Sequence, residues 1–230
     1  MTALFYWPDA GRVGQVVPKE RLYRETGADA AVRRRFVDEV AQVRWAYKVR
    51  EASVRLPETA AVSEIQVFEL DLKGSDVHTS VLTAIDRAIP SPIVFELRRD
   101  DGLWVEQAVA ASFKWTGTRG PRLSEYFRSG WVPAGADRRP LPVAVDLQRL
   151  YEQLVGSLLP HPLRLAESLP DGIERMTRIR SVQREIAGLE RRMHQERQFN
   201  RKAELRRTVA ERRAELATLT GGGPPPPCEL

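Results

Sequence analysis

The chain has 230 residues, of which 42% are hydrophobic and 29% charged, and its formal net charge at pH 7 is +5. This length can hold one well-buried domain with an extension. No apolar run approaches the roughly 20 residues that a helix needs to span a bilayer, and the first residues lack the features of a signal peptide. Composition therefore excludes a membrane-spanning class, and we expect a cytoplasmic protein with no membrane partner.

Candidate metal ligands and thiol nucleophiles are sparse in this sequence. Cys228 is the only cysteine, which excludes an internal disulfide and a cysteine-rich zinc site. His78, His161 and His194 are scattered without the spacing of metal ligands. We therefore expect neither a metal nor another cofactor, and we interpret Cys228 as a free thiol in a flexible tail.

Residues 62–97 read as a strand, a helix and a second strand, and we expect the fold to be built around them. Residues 64–72 are rich in β-branched and aromatic types, residues 81–89 place apolar side chains on one helical face, and Pro90 and Pro92 end that helix. A connection of this length suits a parallel pair of strands. The apolar side chains of the first strand change face midway, which favours a central strand covered on both sides over a strand with a bulge.

The chain before this unit gives weaker signals. Glycine and proline breakers in residues 1–29 predict an irregular start, with a short extended piece at 17–23. Over residues 30–50, apolar residues recur at three- and four-residue spacing, which predicts an amphipathic helix lying on the sheet. The positions that define this stripe are Val32, Phe36, Val40, Val43 and Tyr47.

Turn and strand signals continue the sheet after residue 97. The turn at residues 99–102 predicts an antiparallel hairpin into a strand at 103–115, and an edge strand follows at 126–132 after a loop at 116–121. Asp146 then caps a helix with an apolar stripe. The sequence therefore predicts the α+β class, a mixed α/β domain with a small mixed sheet of about four strands and covering helices.

A charged helical arm follows the globular part. Residues 173–219 contain no proline and are dense in Arg, Glu, Ala and Leu. Two apolar series with helical spacing meet near residue 198 but are out of register. One long coiled-coil helix with a stutter and an antiparallel helical hairpin both fit, and the similar lengths of the halves favour the hairpin. The chain thus divides into a mixed α/β globular domain (1–162), a helical arm (163–219) and a flexible Gly/Pro tail (220–230).

The arm contains the first candidate site, for nucleic acid or a protein partner. Cations at helical spacing along one face would each neutralise a phosphate. Because glutamates are nearly as common along the arm, a solvated helix with i,i+4 pairs is the simpler interpretation. Residues 197–207 are the exception, since Glu204 is their only acid. The candidate contact residues are Arg191, Arg192, Arg197, Gln198, Phe199, Asn200, Arg201, Lys202, Arg206 and Arg207.

Carboxylates on the expected central strand give a catalytic alternative. Glu69, Asp71 and Lys73 have the local spacing of a metal-dependent nuclease of the PD-(D/E)xK type, which needs carboxylates and a lysine on one side of adjacent strands. No Pro-Asp strand turn precedes them, and the expected order of elements differs from that fold. Charged residues at the end of a strand also have an ordinary explanation in solvation, so we assign no catalytic residue and expect a protein that is not an enzyme.

Aromatic residues beside cations form a third candidate, a platform on which bases could stack. The residues concerned are Trp45, Tyr47, Lys48, Trp115 and Trp131. Aromatic side chains on a sheet and its covering helix more often belong to the core, which is the interpretation we prefer.

Several stretches together resemble one bacterial family described as a domain of unknown function. They are VPK at 17–19 with Tyr23, VRWAYK at 43–48, EIQVF at 64–68, IDRAIP at 85–90 with PIVF at 92–95, and ERQFNRKAEL at 196–205. Members of that family are typically encoded beside SNF2-like helicases and DNA methyltransferases in restriction or phage-defence islands. The resemblance supplies a context in DNA defence and no catalytic residues.

These observations lead to one preferred function and two alternatives. The preferred one is a non-catalytic accessory subunit that docks on a helicase or DNA methyltransferase of a defence complex, with the basic arm contacting the partner or DNA. The first alternative is the metal-dependent nuclease that uses Glu69, Asp71 and Lys73. The second is a structural coiled-coil protein whose arm self-associates into a homodimer.

Overall fold

In the computed structural model, the described residues are 4–100, 102–115 and 122–221, without the side chains of residues 23–26. The predicted loop at 116–121, Cys228 and nearly all of the predicted tail lie outside these residues. The chain divides into two compact units, residues 1–158 and 159–230. None of the described helices combines the length and the apolar character that crossing a membrane requires.

The first unit is built on one mixed sheet of seven strands. They are β1 (Arg12–Val16), β2 (Val40–Val49), β3 (Ile65–Leu72), β4 (Ile93–Asp100), β5 (Val105–Trp115), β6 (Arg122–Arg128) and β7 (Val132–Pro133). The order across the sheet is β1-β2-β3-β4-β5-β6, and β7 pairs with β5. β3 and β4 are parallel, and all other neighbours are antiparallel. The α+β class is confirmed, but the expected size of about four strands is wrong.

Strand β2, which was not expected, accounts for part of the difference between the expected and the observed number of strands. The predicted helix over residues 30–50 is correct only for α2 (Ala30–Glu39), after which the chain enters β2. Burial in β2 recurs every third residue, because its pairing with β3 has two irregularities and both faces of the sheet are covered. At each irregularity β2 contains one extra residue, so its buried residues are three positions apart instead of two. This spacing is the same as that of a helix.

The start of the chain is also more regular than its sequence indicates. A 3-10 turn (Asp9–Gly11) leads into β1, and α1 (Lys19–Thr26) replaces the extended piece predicted at 17–23. β1 pairs only with β2 and is exposed along its whole length. It therefore lacks the long buried apolar run by which an inner strand is recognised.

The predicted strand–helix–strand unit forms as expected. The helix α4 (Thr79–Ala88) connects β3 to β4, whose register pairs Phe68 with Phe95 and Glu69 with Glu96. β3 is covered on both faces and lies between β2 and β4, which confirms the predicted central strand. A bulge also lies at the change of face: Phe68 pairs with Trp45 and Val67 with Tyr47, so the extra residue belongs to β2.

One face of the sheet carries the main core. Phe68 and Leu70 of β3 pack there with residues of β4 and β5 against the apolar sides of α1, α2 and α4. The opposite face is covered in part by α5 (Leu147–Gly156), whose Tyr151 ring stacks on Phe113 with centroids 5.7 Å apart. Asp146 caps α5 by accepting a hydrogen bond from the N–H of Arg149, as predicted.

The second unit contains two long helices, α6 (Leu169–Gln195) and α7 (Phe199–Thr220), joined by three residues. Ion pairs join Arg213 to Glu190 and Arg178 to Glu215. Since residues late in α7 meet residues early in α6, the helices run antiparallel. Of the two arrangements that the sequence allows, the structure has the hairpin.

Candidate nucleic-acid or partner interface

Apolar side chains hold the hairpin together at helical spacing. Val182 and Ile186 of α6 pack on Val209 of α7, and Leu189, Leu216 and Leu219 extend this seam. The turn between the helices is fixed by Glu196, whose Oε1 accepts the backbone N–H of Gln198 at 2.8 Å. This arrangement places residues 191–207 at one end of the hairpin, which we call the tip.

The opposite end of the hairpin, its base, is closed by a partly buried ion pair. Arg175 donates through Nε and Nη2 to the two carboxylate oxygens of Glu167, both at 2.7 Å, and through Nη2 to the carbonyl of Pro162 at 2.8 Å. The Arg175 hydrogen bonds hold the pKa of Glu167 below its ordinary value. The same bonds raise the pKa of Arg175. The base is therefore fixed by a charged contact that is fully formed at neutral pH.

Three arginines between the base and the tip are paired across the two helices. Arg213 Nη2 lies 2.7 Å from Glu190 Oε1, and Arg212 Nε lies 3.7 Å from Glu185 Oε2. Arg178 donates to Glu215 through Nε at 2.7 Å. In this part of the hairpin the simpler interpretation, a solvated surface of ion pairs, is correct.

The tip differs because most of its cations have no acidic partner. Arg207 pairs with Glu211 at 3.3 Å. Within the described chain, no ion pair joins any of the other six to an acid; they are Arg191, Arg192, Arg197, Arg201, Lys202 and Arg206. The first turn of α7 also contains no acidic residue that would offset the positive end of its dipole. The tip is therefore a surface of unneutralised positive charge.

The charge of the whole chain is concentrated in the same residues. The tip has seven cations and two glutamates, a net charge of +5, which equals the net charge of the chain. Outside the tip, 29 cations and 29 acids cancel. The basic balance therefore belongs to 17 residues and is not a general property of the surface.

An exposed ring and a groove complete the tip. Phe199, the first residue of α7, leaves 80% of its surface exposed. Beside Glu196, the groove between the helices is lined by Arg192, Gln195, Arg201, Glu204, Leu205 and Thr208. Gln198 and Asn200, which flank Phe199, are exposed as well. The structure thus brings the predicted contact residues together at one end of one element.

Two residues of the nuclease alternative, Glu69 and Lys73, contact other groups of the first unit. Glu69 lies 3.8 Å from Arg44 of β2, and burial raises the pKa of Glu69, to which the nearby Glu96 carboxylate adds. Lys73 lies past the end of β3, and its Nζ donates to the carbonyl of Val37 in α2 at 2.7 Å. Over the described ranges, no three His, Cys, Asp or Glu side chains are grouped so that they could hold a metal ion.

Glu96 is a buried acid that the sequence analysis missed. It accepts the indole N–H of Trp7 at 2.6 Å and both terminal nitrogens of Arg138, at 2.8 and 2.7 Å. The hydrogen bonds with Glu96 raise the pKa of Arg138. These partners are 89 and 42 residues away in the chain, so no local pattern could have indicated them. The cluster ties the N-terminal segment to the sheet.

A second buried group, centred on Asp86 of α4, also lacks any sequence signal. Asp86 Oδ1 lies 2.6 Å from Lys114 Nζ, with both side chains 1% exposed. Its Oδ2 accepts the hydroxyl groups of Ser112 at 2.7 Å and Tyr126 at 2.8 Å. Burial lowers the pKa of Lys114, against the opposing effect of Asp86. The pair links α4 to the sheet. Because both side chains are closed to solvent, they do not form an open site.

The aromatic residues considered for base stacking do not form one platform. Trp45 is packed against the main core and donates to Gln66 Oε1 at 2.7 Å. Trp131 lies under the Arg99 guanidinium, 4.2 Å from the ring centroid, and Trp115 packs edge-on to Phe113. Tyr47 faces Trp7. These rings pack against neighbouring side chains, which agrees with the interpretation that we preferred from the sequence.

Comparison with known proteins agrees with the resemblance seen in the sequence. The profile of a domain of unknown function, DUF4391, matches residues 5–216, which is most of the chain. The chain belongs to the DUF4391 family. No curated protein and no solved structure matches it. The DUF4391 match spans the sheet, the buried clusters and the hairpin with its tip, so the family is defined by both units.

Proposed function

We propose that this DUF4391 protein is a cytoplasmic, non-catalytic accessory subunit of a bacterial DNA restriction or phage-defence system. It docks on a helicase or DNA methyltransferase, and the hairpin tip contacts that partner or nucleic acid. One observation carries the proposal: within the described chain, six of the seven cations at the tip have no acidic partner, whereas Arg178, Arg212 and Arg213 of the same hairpin are paired with glutamates of the facing helix. The defence context comes from the resemblance of its sequence motifs.

Physical reasoning supports binding at the tip. Like charges that are crowded in one place repel each other, and cations near a helix N-terminus oppose the helix dipole. A folded protein gains no stability from this arrangement. An anionic surface or backbone would neutralise the charges and release counterions, which is a favourable contribution to association. The tip is therefore better explained by a partner than by the fold.

The proposal is tested by a tagged pull-down from the native host, with and without nuclease treatment, read by mass spectrometry. The wild-type protein is expected to recover a helicase or DNA methyltransferase. Arg197→Glu with Arg201→Glu should reduce either that recovery or the nucleic acid retained when nuclease is omitted. The double variant changes two exposed side chains that make no ion pair with any described residue, so the hairpin should stay folded.

A matched control carries the same change of charge away from the tip. Arg87→Glu with Arg184→Glu alters two exposed arginines, one in α4 and one in the middle of α6. This control should behave as the wild type. Recovery of neither a helicase nor a methyltransferase by the wild type would refute the proposal, and equal recovery by all three proteins would refute the role of the tip.

A further inference from the structure

We infer that the hairpin tip binds single-stranded nucleic acid, with phosphates on its unpaired cations and unpaired bases against Phe199 and in the groove between the two helices. The inference rests on the proposed function, because it names the ligand class of the same tip. It commits to single strands over duplexes and over an acidic protein surface. DNA and RNA share this chemistry and are distinguished by the experiment.

The distribution of charge fits a polyanionic strand. The unpaired cations occur on both helices and in the turn. Arg191 and Arg192 lie near the end of α6, Arg197 lies in the turn, and Arg201 is the first of those on α7. A nucleic-acid backbone carries one charge per nucleotide and can follow such a line of cations. An acidic protein surface would match the charge but offers no flat base that could stack on the exposed ring between these cations.

Phe199 supplies the apolar part of the contact. Its side chain stands between Arg197 and Arg201 in sequence and is among the most exposed large apolar groups of the chain. No described aromatic ring packs on it. Exposed aromatic rings beside cations bind single strands because every base has a flat face that can stack on them. A duplex keeps those faces stacked inside and cannot offer them.

The groove between the helices at the tip has the chemistry to bind the edge of a base. Gln195 and Thr208 can donate and accept hydrogen bonds, and the side chain of Leu205 adds an apolar surface. Glu204 would repel a phosphate, but its carboxylate can accept the exocyclic N–H groups of an unpaired base. In this arrangement the cations contact the phosphates and the Glu204 carboxylate contacts the edge of the base.

The test measures binding of fluorescent oligonucleotides of about 16 residues, the upper end of single-strand site sizes, to the full-length protein by anisotropy. The probes are a mixed-sequence DNA strand, the RNA strand of the same sequence and the DNA duplex, each across a salt series. The single strands should bind at least tenfold more tightly than the duplex. If all six cations contact phosphates, the slope of log K against log salt should approach about −4.

Two sets of variants separate stacking from charge. Phe199→Ala should weaken single-strand binding roughly 5- to 150-fold, and Phe199→Trp should restore it because the ring is retained. Arg197→Glu with Arg201→Glu should flatten the salt slope by about 1.4, corresponding to two lost phosphate contacts. The control Arg87→Glu with Arg184→Glu should leave affinity and slope unchanged.

The outcomes are distinct from those of the pull-down. Duplex binding equal to or tighter than single-strand binding, or no effect of Phe199→Ala, would overturn the inference. A protein that recovers a helicase or methyltransferase through its tip yet binds neither strand would also overturn it, while the proposed accessory role would stand. Preference between the DNA and RNA strands would identify the source of the ligand.

Discussion

At the scale of single residues, the Asp86–Lys114 ion pair is the most deeply buried among the described residues. The Lys114 ammonium also donates to the carbonyls of Asp86, Ile89 and Ser91, at 2.7, 2.7 and 3.0 Å. These carbonyls belong to the last turn of α4 and to the residues just after it, where helical carbonyls have no partner within the helix. Removal of either charge leaves the other buried without compensation, which is far more costly than the loss of a surface pair.

We therefore expect Lys114→Met to lower the free energy of unfolding by about 3–5 kcal/mol. Adding Asp86→Asn to that variant should cost less than the sum of the two single changes, because the uncompensated carboxylate is then removed. Urea unfolding followed by tryptophan fluorescence measures both. Arg34→Met, which breaks the exposed pair with Asp38, is the control and should change stability by less than about 1 kcal/mol. A loss of that small size for Lys114→Met would contradict the argument.

At the scale of elements, the hairpin combines a short apolar seam with charged contacts, and the base contact is sensitive to pH. The hydrogen bonds from Arg175 lower the pKa of Glu167 in the folded protein below its ordinary value of 4.5. Below that value the unfolded chain binds more protons than the folded one. The contribution of Glu167 to stability is therefore complete above about pH 4.5 and is lost as the pH falls through the lowered pKa.

Thermal unfolding followed by far-ultraviolet circular dichroism should show this loss of stability as a decrease in Tm between about pH 6 and about pH 3. In Glu167→Gln the decrease over the same interval should be smaller, because the variant has no carboxylate to protonate. Glu174→Gln, a change to an exposed glutamate in the first turns of α6, should retain the wild-type decrease. An equal decrease in all three proteins would show that the base contact does not contribute.

Elements also show where sequence patterns succeed and fail. The sequence pattern was sufficient to predict β3, α4 and β4, because the composition and spacing of apolar residues are typical of each element and turn residues mark its end. In β2, irregular pairing and burial on two faces gave a three-residue spacing that no local rule separates from a helix. The hairpin could be proposed from its two apolar series, but its closure depends on pairs such as Arg213 with Glu190, which are 23 residues apart.

At the scale of the whole molecule, the chain divides into two compact units that can be followed by different spectroscopic signals. All five tryptophans, Trp7, Trp45, Trp104, Trp115 and Trp131, belong to residues 1–158. α6 and α7 contribute helices of 27 and 22 residues. Tryptophan fluorescence therefore reports only the first unit, while circular dichroism reports both.

We expect the two unfolding curves in urea not to superimpose. Ile186→Ala removes buried atoms from the hairpin seam and should destabilise that unit by about 2–5 kcal/mol. It should shift the circular dichroism curve and leave the fluorescence midpoint unchanged, whereas Lys114→Met should shift the fluorescence curve. Superimposed curves for the wild type and both variants would show that the chain unfolds as one cooperative unit.

The sequence by itself determined the α+β class, the central parallel pair and the basic residues of the arm, because these depend on local periodicity and local composition. Tertiary structure alone decided the number of strands, the buried partners of Glu96 and Asp86, and which arginines are neutralised. Those features depend on residues that are distant in the chain and meet only when it folds. A count of charges could not separate paired from unpaired cations, and that difference is what singles out the tip.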